Sequence, residues 1–190
     1  MIFEGDARDF KPEQKYKVIY ADPPWHWETR SDKGRIKTPD VHYPCMTLED
    51  MKQIPVKDWA DKDCALFMWV IDAYLEKSFE LINAWGFKFK TVGFYWAKTT
   101  PTGKWFFGQG YWTRGNPEQC LLATKGSPKR QSKAVRKLLV ADKGPHSAKP
   151  AEIRQRIMQL VPGPYLEMFA RTQVEGWDSV GIDVNKNIFI

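Results

Sequence analysis

The sequence has neither a cysteine framework nor a long apolar run. Its three cysteines, Cys45, Cys64 and Cys120, stand far apart in a chain of 190 residues. This scatter argues against disulfides and a zinc cluster, and it favours a reducing compartment. No apolar stretch approaches the roughly 18–20 residues of a membrane-spanning helix, and residues 1–10 lack the apolar region of a secretory signal. We therefore expect a cytoplasmic protein without membrane association.

Two further patterns are missing. The three histidines show neither metal-ligand spacing nor the partners of a catalytic triad, so we expect no bound metal. No Gly-x-Gly-x-x-Gly segment is present, so nothing indicates a dinucleotide-binding turn. The length of 190 residues suits one domain with its own core. Because the sequence has no repeat and no clean boundary, we expect residues 1–190 to form a single domain.

Positive charge and tryptophan are abundant instead. The chain has 29 Lys and Arg against 23 Asp and Glu, which gives a net charge of +6. Such an excess of positive charge is typical of domains that bind nucleic acid, although it can equally serve only to keep a protein surface soluble. There are also nine tryptophans. Some must belong to the core, but tryptophan beside Pro and Gly in polar loops is typical of a surface that stacks on flat rings.

Short apolar runs alternate with helical segments along the chain. Strands are predicted at residues 17–21, 64–71, 87–96, 118–124, 165–170 and 180–184, and helices start at Thr47, at Asp72 and at Pro150. This alternation predicts an α/β fold with a mostly parallel sheet and helices on its faces. Ligands bind beyond the carboxyl ends of strands in such sheets. Three groups follow predicted strands in this way, at residues 22–25, 96–98 and 171–177.

The segment Asp22-Pro23-Pro24-Trp25 ends the first of these predicted strands. Two prolines cannot continue a hydrogen-bonded ladder, and each one fixes φ and keeps the preceding residue extended. The Asp22 carboxylate and the Pro23 carbonyl are thereby held as two rigid acceptors, which suits an exocyclic amine with two hydrogens to donate. The indole of Trp25 can stack on the ring that bears this amine.

The run from Val18 to Trp25 resembles the catalytic motif of amino-methyltransferases that use S-adenosylmethionine. Trp25 in particular resembles the MTA-type family, which comprises the mRNA N6-adenosine methyltransferase catalytic subunit and its bacterial and phage DNA relatives. Other segments look like this family in its own order, from about Asp6 to Asp183. They are Leu66-Phe67-Met68-Trp69-Val70, Trp85-Gly86-Phe87, Trp96-Ala97-Lys98, the stretch from Tyr111 to Leu122, His146-Ser147-Ala148-Lys149-Pro150, and Tyr165 through Arg171 to Gly176-Trp177.

The resemblance implies a Rossmann-like methyltransferase fold that is circularly permuted, with the catalytic turn ahead of the cofactor strand at residues 165–170. It implies no separate target-recognition domain. It also implies S-adenosylmethionine as the cofactor, held by Asp6, Asp22, Pro23, Lys149, Glu167, Phe169, Arg171 and Asp183. Lys149 is expected at the methionine carboxylate, and Asp183 at the ribose hydroxyls, although Ile182 replaces an Asn that the family usually has. The residues themselves also allow a solvated Lys149, a structural Glu167–Arg171 ion pair and a surface Asp183.

The implied reaction is methyl transfer to the N6 amine of adenine in DNA, with Asp22, Pro23, Pro24 and Trp25 as the catalytic motif. The same reaction on RNA is the main rival, and a nucleic-acid-binding subunit that needs a partner for activity is the rival from another class. Cytosine N4 shares the chemistry, but its enzymes typically have Tyr or Phe after the second Pro. A homodimer and a heterodimer are both compatible with the sequence, and a bacterial or phage origin is implied.

Three loops, at residues 26–44, 98–117 and 127–147, are rich in basic and aromatic residues. We expect these loops to recognise the polymer. Lys and Arg supply phosphate affinity without sequence information, and each good base contact adds only about 1–3 kcal/mol of discrimination. We therefore expect a short recognition site. The candidate contacts with the polymer are Trp25, Tyr43, Lys98, Trp112, Arg114, Lys129, Arg130 and Lys133.

Overall fold

The computed structural model describes residues 1–25, 45–144, 148–182 and 184. The strands in this part of the chain are β1 (Ile2–Glu4), β2 (Tyr16–Ala21), β3 (Ala60–Val70), β4 (Lys88–Thr99), β5 (Glu118–Lys125), β6 (Leu138–Asp142), β7 (Tyr165–Met168) and β8 (Trp177–Gly181). The α-helices are α1 (Leu48–Lys52), α2 (Val56–Trp59), α3 (Leu75–Ala84) and α4 (Ala151–Leu160). Short 3-10 turns lie at Ala7–Asp9 and Asp72–Tyr74.

The eight strands form one sheet in the order β1-β8-β7-β2-β3-β5-β4-β6. Strand β5 runs antiparallel to both of its neighbours, and all other neighbouring pairs are parallel. The prediction of a mostly parallel α/β sheet is therefore confirmed. We call the edge where the seven parallel strands end the carboxyl edge. Since β5 runs the other way, it begins at this edge.

Side chains on the interior strands alternate between two apolar faces, as the two-residue period of a strand requires. Along β2, Ile19 and Ala21 pack with residues of α1, α2 and α3, whereas Val18 and Tyr20 pack with residues of α4. Burial on both faces explains why β3 reads as a continuous apolar run in the sequence. The sheet is thus a middle layer, with helices on either side.

Local signals placed several helix boundaries correctly. Thr47 caps α1, because its Oγ1 accepts a hydrogen bond from the Asp50 backbone N–H at 3.1 Å. Pro150 stands at the start of α4, as predicted. Asp72, by contrast, makes no capping hydrogen bond. Its carboxylate accepts from the Gln119 side chain at 3.0 Å, so this contact with β5 takes the place of the predicted cap.

Three strands depart from the sequence prediction. Strands β1 and β6 were not predicted, because each is short and lies at an outer edge of the sheet. In β6, Leu139 is buried but Leu138 and Val140 are about half exposed, so the segment reads as part of a basic loop. The predicted loop at residues 127–147 is consequently interrupted by a strand. Strand β8 begins at Trp177 rather than Val180, where pairing with Tyr165 starts directly after Gly176.

Candidate active site

The Asp22-Pro23-Pro24-Trp25 turn lies at the carboxyl edge, directly after β2, between β7 and β3. Its backbone is fixed at two points. The Trp25 N–H donates to the Pro23 carbonyl at 2.9 Å, and the Met46 N–H donates to the Pro24 carbonyl at 2.8 Å. A carbonyl oxygen has two lone pairs, so the Pro23 carbonyl keeps one of them for a ligand.

The side chain of Asp22 is held by Lys149. The Lys149 Nζ donates to Oδ2 of Asp22 at 2.7 Å, and the Lys149 side chain is only 10% exposed. Lys149 stands just ahead of α4, so the helix start brings the ammonium to the carboxyl edge. Within the part of the chain that the structure describes, Oδ1 of Asp22 accepts no hydrogen bond. One carboxylate oxygen is therefore anchored, while the other remains an acceptor.

Two more charges extend this contact into a row. Glu118, the first residue of β5, lies 3.5 Å from the Lys149 Nζ and also forms an ion pair with Lys98. The sequence of charges is thus Lys98, Glu118, Lys149 and Asp22, which alternate in sign. We call these four residues the charge row.

The two central members of the charge row, Lys149 and Glu118, are ionised at neutral pH. Burial by itself opposes the charge on Lys149, but Asp22 and Glu118 outweigh it and place the lysine pKa above its ordinary value. Burial likewise opposes ionisation of Glu118, yet Lys149 and Lys98 outweigh it and place the pKa of Glu118 below its ordinary value. Each buried charge is therefore compensated by a neighbour of opposite sign.

The Trp25 ring packs into the core. It stacks on Tyr74 with ring centroids 5.5 Å apart and an interplanar angle of 16°, and the residue is 8% exposed. Its indole N–H is buried and has no hydrogen-bond partner among the described residues. This arrangement fixes the end of the turn, and the prediction that Trp25 stacks on a substrate ring stays a prediction.

Glu167 points to the α4 face of the sheet. Arg154 of α4 holds both of its carboxylate oxygens, at 2.7 and 2.5 Å, and Glu167 is 6% exposed. The structural ion pair with Arg171 considered above is therefore wrong, because Arg154 is the partner. Burial raises the pKa of Glu167 even beside this guanidinium. The cofactor role of Glu167 stays a prediction.

The other predicted cofactor residues described here occupy the same edge. Phe169 follows β7 directly and has a φ of 59°, a conformation that a residue with a Cβ rarely adopts and that often marks a functional turn. Arg171 lies two residues further on. Asp6 follows β1, three strands away from β2, and its carboxylate is held by Arg8, which lowers the pKa of Asp6. Asp183 lies outside the described residues.

The candidates for polymer contact are divided between the two edges. Lys98 belongs to the charge row, and Trp112 and Arg114 lie between β4 and β5 at the carboxyl edge. The segment that carries Lys129, Arg130 and Lys133 follows the end of β5, at the opposite edge. Tyr43 lies outside the described residues, as does nearly all of the predicted loop at residues 26–44.

The opposite edge is identified by two contacts. The Ser127 N–H donates to the Asp63 carboxylate near the start of β3, and the Gln131 N–H donates to the Leu160 carbonyl at the end of α4. The structure therefore does not bring Lys129, Arg130 and Lys133 together with Asp22. Trp177 also starts its strand at this opposite edge, so only the first part of the group at residues 171–177 reaches the site.

Sequence reasoning missed two residues of the site, Glu118 and Arg154. Glu118 starts an otherwise apolar strand, which by itself is a weak indication of a functional residue. Its role depends on Lys98 and Lys149, which lie 20 residues before it and 31 residues after it in the sequence. Arg154 lies between the buried positions Ile153 and Ile157 of α4. From the sequence alone, Arg154 could equally lie on the exposed side of α4. Only the position of α4 on the sheet shows that Arg154 faces Glu167.

Two cysteine thiols lie in the core of the protein. Cys64 and Cys120 are buried, and burial raises the pKa of Cys64 to about 12 and that of Cys120 well above its ordinary value. Both thiols are therefore protonated at neutral pH. No group of three or more His, Cys, Asp or Glu side chains in the described ranges has the arrangement of a metal site.

The longest described helices have ten residues, and none is long and apolar enough to cross a membrane.

Fold and site together define an α/β protein in which the Asp22 carboxylate lies beyond a central strand of a mostly parallel sheet, beside the Pro23 carbonyl and the buried Lys149. Comparison with known families agrees with this class and makes it specific. The chain belongs to the MT-A70 family, whose model matches residues 16–183.

Individual relatives are methyltransferases by name. Type II methyltransferase M.MunI of Mycoplasma sp is 33% identical over 194 residues, which cover 93% of this chain and 81% of that protein. The N(6)-adenosine-methyltransferase catalytic subunit METTL3 of Homo sapiens is 30% identical over 169 residues, 83% of this chain and 26% of that protein. An N(6)-adenosine-methyltransferase MT-A70-like protein of Arabidopsis thaliana is 28% identical over 195 residues, 95% of this chain and 26% of that protein. The chain therefore spans about a quarter of each of these two longer relatives.

Proposed function

We propose that this chain is an S-adenosylmethionine-dependent methyltransferase that acts on the N6 amine of adenine in DNA. The observation that carries the proposal is the pair of acceptors at the end of β2. Oδ2 of Asp22 is anchored by Lys149 at 2.7 Å, which leaves Oδ1 and the second lone pair of the Pro23 carbonyl for a ligand. An exocyclic amine has two hydrogens to donate, so it satisfies both acceptors.

The two acceptors also account for activation of the amine. The lone pair of the adenine N6 atom is delocalised into the ring, which makes the nitrogen a poor nucleophile. Hydrogen bonds from the two amine hydrogens to Asp22 Oδ1 and to the Pro23 carbonyl favour a pyramidal geometry at the nitrogen. The lone pair of the nitrogen then points away from both acceptors. Positioning and electrostatics of this kind account for most of the rate enhancement in such transfers.

The residues present fit a cofactor that has an amino-acid end. Bound S-adenosylmethionine supplies an electrophilic sulfonium methyl group. Its methionine part carries one carboxylate and one ammonium, and the site offers Lys149 for the first and carboxylates for the second, in a buried position where such pairs are strong. Phe169, Arg171 and Glu167 would surround the ribose and adenine, with Asp6 and Asp183 further along the edge.

One comparison favours DNA over RNA: this chain covers 81% of a type II methyltransferase. The net charge of +6 suits either polyanion. RNA is the second candidate substrate, because the relatives named N(6)-adenosine-methyltransferases match 83% and 95% of the chain. A nucleic-acid-binding subunit without activity is disfavoured, since Asp22 and Pro23 are both present and the Lys149 ammonium forms an ion pair with Asp22.

We also assign the finer features of the fold to this function. The catalytic turn follows β2, and the proposed cofactor strand β7 comes later in the chain but beside β2 in the sheet. This order is that of a circularly permuted Rossmann-like methyltransferase. We take residues 1–190 as one methyltransferase domain that acts in the cytoplasm of a bacterium or a phage host.

The test is to identify the methylated nucleoside. Purified chain is incubated with S-adenosylmethionine labelled in its methyl group and with either DNA or RNA of the same adenine-containing sequence, and the digested products are separated. The proposal predicts label in N6-methyladenine from DNA, at a higher rate than from RNA. Label confined to RNA establishes the second candidate, and label in N4-methylcytosine contradicts the assignment of the amine. No transfer by the chain alone, with transfer restored by a second subunit, supports the binding-subunit alternative.

A further inference from the structure

An exposed aromatic segment connects β4 and β5 at the carboxyl edge. We call residues 100–117 the aromatic hairpin. Four of its large side chains are exposed, namely Trp105 at 57%, Phe107 at 67%, Tyr111 at 76% and Trp112 at 93%. Five of the other tryptophans, in contrast, are 3% exposed or less. Water-exposed aromatic surface of this size is typical of a binding surface.

The backbone of the aromatic hairpin is well defined despite this exposure. The Asn116 side chain accepts from the Lys98 N–H at 3.1 Å and donates to the carbonyls of Lys98 and Phe106 at 2.9 and 2.5 Å. The Gly108 N–H donates to the Gly115 carbonyl at 2.6 Å, and a Cβ on Gly108 would lie 2.9 Å from that oxygen. Trp112 at the tip has a φ of 68°. The exposed rings are therefore presented by an ordered scaffold.

The charge of the aromatic hairpin has one sign. Residues 100–117 contain Lys104 and Arg114 but no Asp or Glu, and Lys143 adds its ammonium over the Phe106 ring at 4.8 Å. Aromatic rings with cations alone match a polyanion whose bases are free to stack. An apolar protein partner would not require this bias of charge.

The aromatic hairpin is also joined to the site. Lys98 closes its first end and Glu118 its second, and these two residues form the ion pair that continues through Lys149 to Asp22. A strand that presents an amine to Asp22 therefore runs close to the hairpin. Because the target base must leave its stack to reach the acceptors, the neighbouring bases lose a stacking partner.

We propose that the aromatic hairpin binds unpaired bases that flank the target adenine, with Trp112 as the principal stacking side chain, so that the enzyme prefers single-stranded or locally opened nucleic acid to intact duplex. The inference rests on the proposed function and makes it more specific. Stacking of a base on an exposed indole depends on the ring rather than on its N–H. It therefore predicts that phenylalanine, but not alanine, can replace Trp112.

The test measures binding without methyl transfer. Fluorescence anisotropy with S-adenosylhomocysteine present compares a labelled single strand containing one adenine, the same strand with abasic positions on both sides of the adenine, and the corresponding duplex. Trp112→Ala is expected to raise Kd for the intact single strand about tenfold, whereas Trp112→Phe stays within about threefold. Abasic flanks should remove this difference. Tyr95→Ala, which removes a 39% exposed aromatic side chain outside the hairpin, is the matched control and should bind like wild type.

The outcomes separate the inference from the function on which it rests. Wild-type affinity in Trp112→Ala, an equal loss on the abasic strand, or tighter binding to duplex overturns the stacking role even if adenine is methylated. Light scattering adds another test, since a dimer that Trp112→Ala converts to a monomer makes the hairpin a surface between copies of the chain and also overturns it. If the Trp112 dependence holds while no nucleic acid is methylated, the proposed function fails and the binding surface remains.

Discussion

The ammonium of Lys149 lies 2.7 Å from the Asp22 carboxylate, although 127 positions separate the two residues in the chain. Asp22 follows a central strand, and Lys149 precedes α4, so the topology brings a turn and a helix start to one point. This contact leaves one Asp22 oxygen for a substrate amine and places a buried cation where a cofactor carboxylate would bind. The contact thus joins the proposed substrate acceptor to the proposed cofactor residue.

Replacing Lys149 with methionine is expected to weaken binding of S-adenosylhomocysteine about tenfold or more, because a buried charge-assisted contact is lost while the volume is largely kept. Isothermal calorimetry measures the affinity. The matched control is Lys88→Met, which removes an exposed lysine at the other edge of the sheet. Unchanged affinity for S-adenosylhomocysteine together with weaker binding of nucleic acid would assign Lys149 to the polymer.

Glu118→Gln is expected to destabilise the fold by about 2 kcal/mol at neutral pH, since Lys149 and Lys98 each lose a buried anionic neighbour. The pKa of Glu118 is lowered from its ordinary 4.5, so its ionised form stabilises the fold. That contribution is full above the unfolded pKa and is lost as the pH falls through the folded pKa.

Urea unfolding at a series of pH values tests this dependence. The difference between wild type and Glu118→Gln should be constant from neutral pH down to about pH 5 and should shrink in more acidic solution. Glu80→Gln is the control, because Glu80 forms an ion pair with Lys52 but is 55% exposed, and it should have little effect. A difference that grows toward low pH would contradict the assignment.

Arg154→Met is expected to destabilise the fold by about 3 kcal/mol, because it leaves the 6% exposed Glu167 without its cation. Adding Glu167→Gln to this variant should recover part of the loss, since no buried charge then remains. Denaturant unfolding of the single and double variants measures both. Wild-type stability of Arg154→Met would show that the Arg154–Glu167 contact does not stabilise the fold.

Recognition is expected to be short, at roughly two to four base pairs, with a steep dependence on salt. Removing Lys129, Arg130 and Lys133 together should weaken binding to all sequences alike and reduce the salt slope on duplex by about 2 to 3. Salt titrations of binding measure the slope, and sequencing of methylated adenines in an expressing host measures the site. A strict site of six or more base pairs, or an unchanged slope, would contradict this account of recognition.

The sequence predicted the parts of the fold that local chemistry determines. Alternating apolar runs located six of the strands, and Thr47 and Pro150 located two helix starts. Edge strands escaped detection because they bury little. In β6, for example, Leu139 is buried and Ala141 is only partly buried against the core, and the surrounding lysines and arginines obscure the pattern. The helix cap predicted at Asp72 was wrong, because a carboxylate at a helix start can instead accept a hydrogen bond from a neighbouring strand, here from Gln119 of β5.

The candidate site was predictable at its centre and less so around it. The stiffness of Asp22-Pro23-Pro24-Trp25 is a local property, so its two acceptors follow from the sequence. The pairing of Lys149 with Asp22 and Glu118 depends on how distant segments meet in the sheet, which no spacing shows. Lys129 and Arg130 illustrate the same limit. Their charge is evident in the sequence, but the antiparallel direction of β5 places them at the edge opposite Asp22.

The central claim is that the Asp22 carboxylate positions the adenine amine. The most direct measurement is the initial rate of labelled methyl transfer to adenine N6 in DNA by wild type, Asp22→Asn and Asp22→Ala, with Asp72→Asn as the matched carboxylate control at the same edge. The account predicts a fall of about 100-fold or more for both Asp22 variants, with nearly unchanged affinity for S-adenosylhomocysteine, and no comparable loss for Asp72→Asn. Transfer within a few-fold of wild type in Asp22→Ala would contradict it.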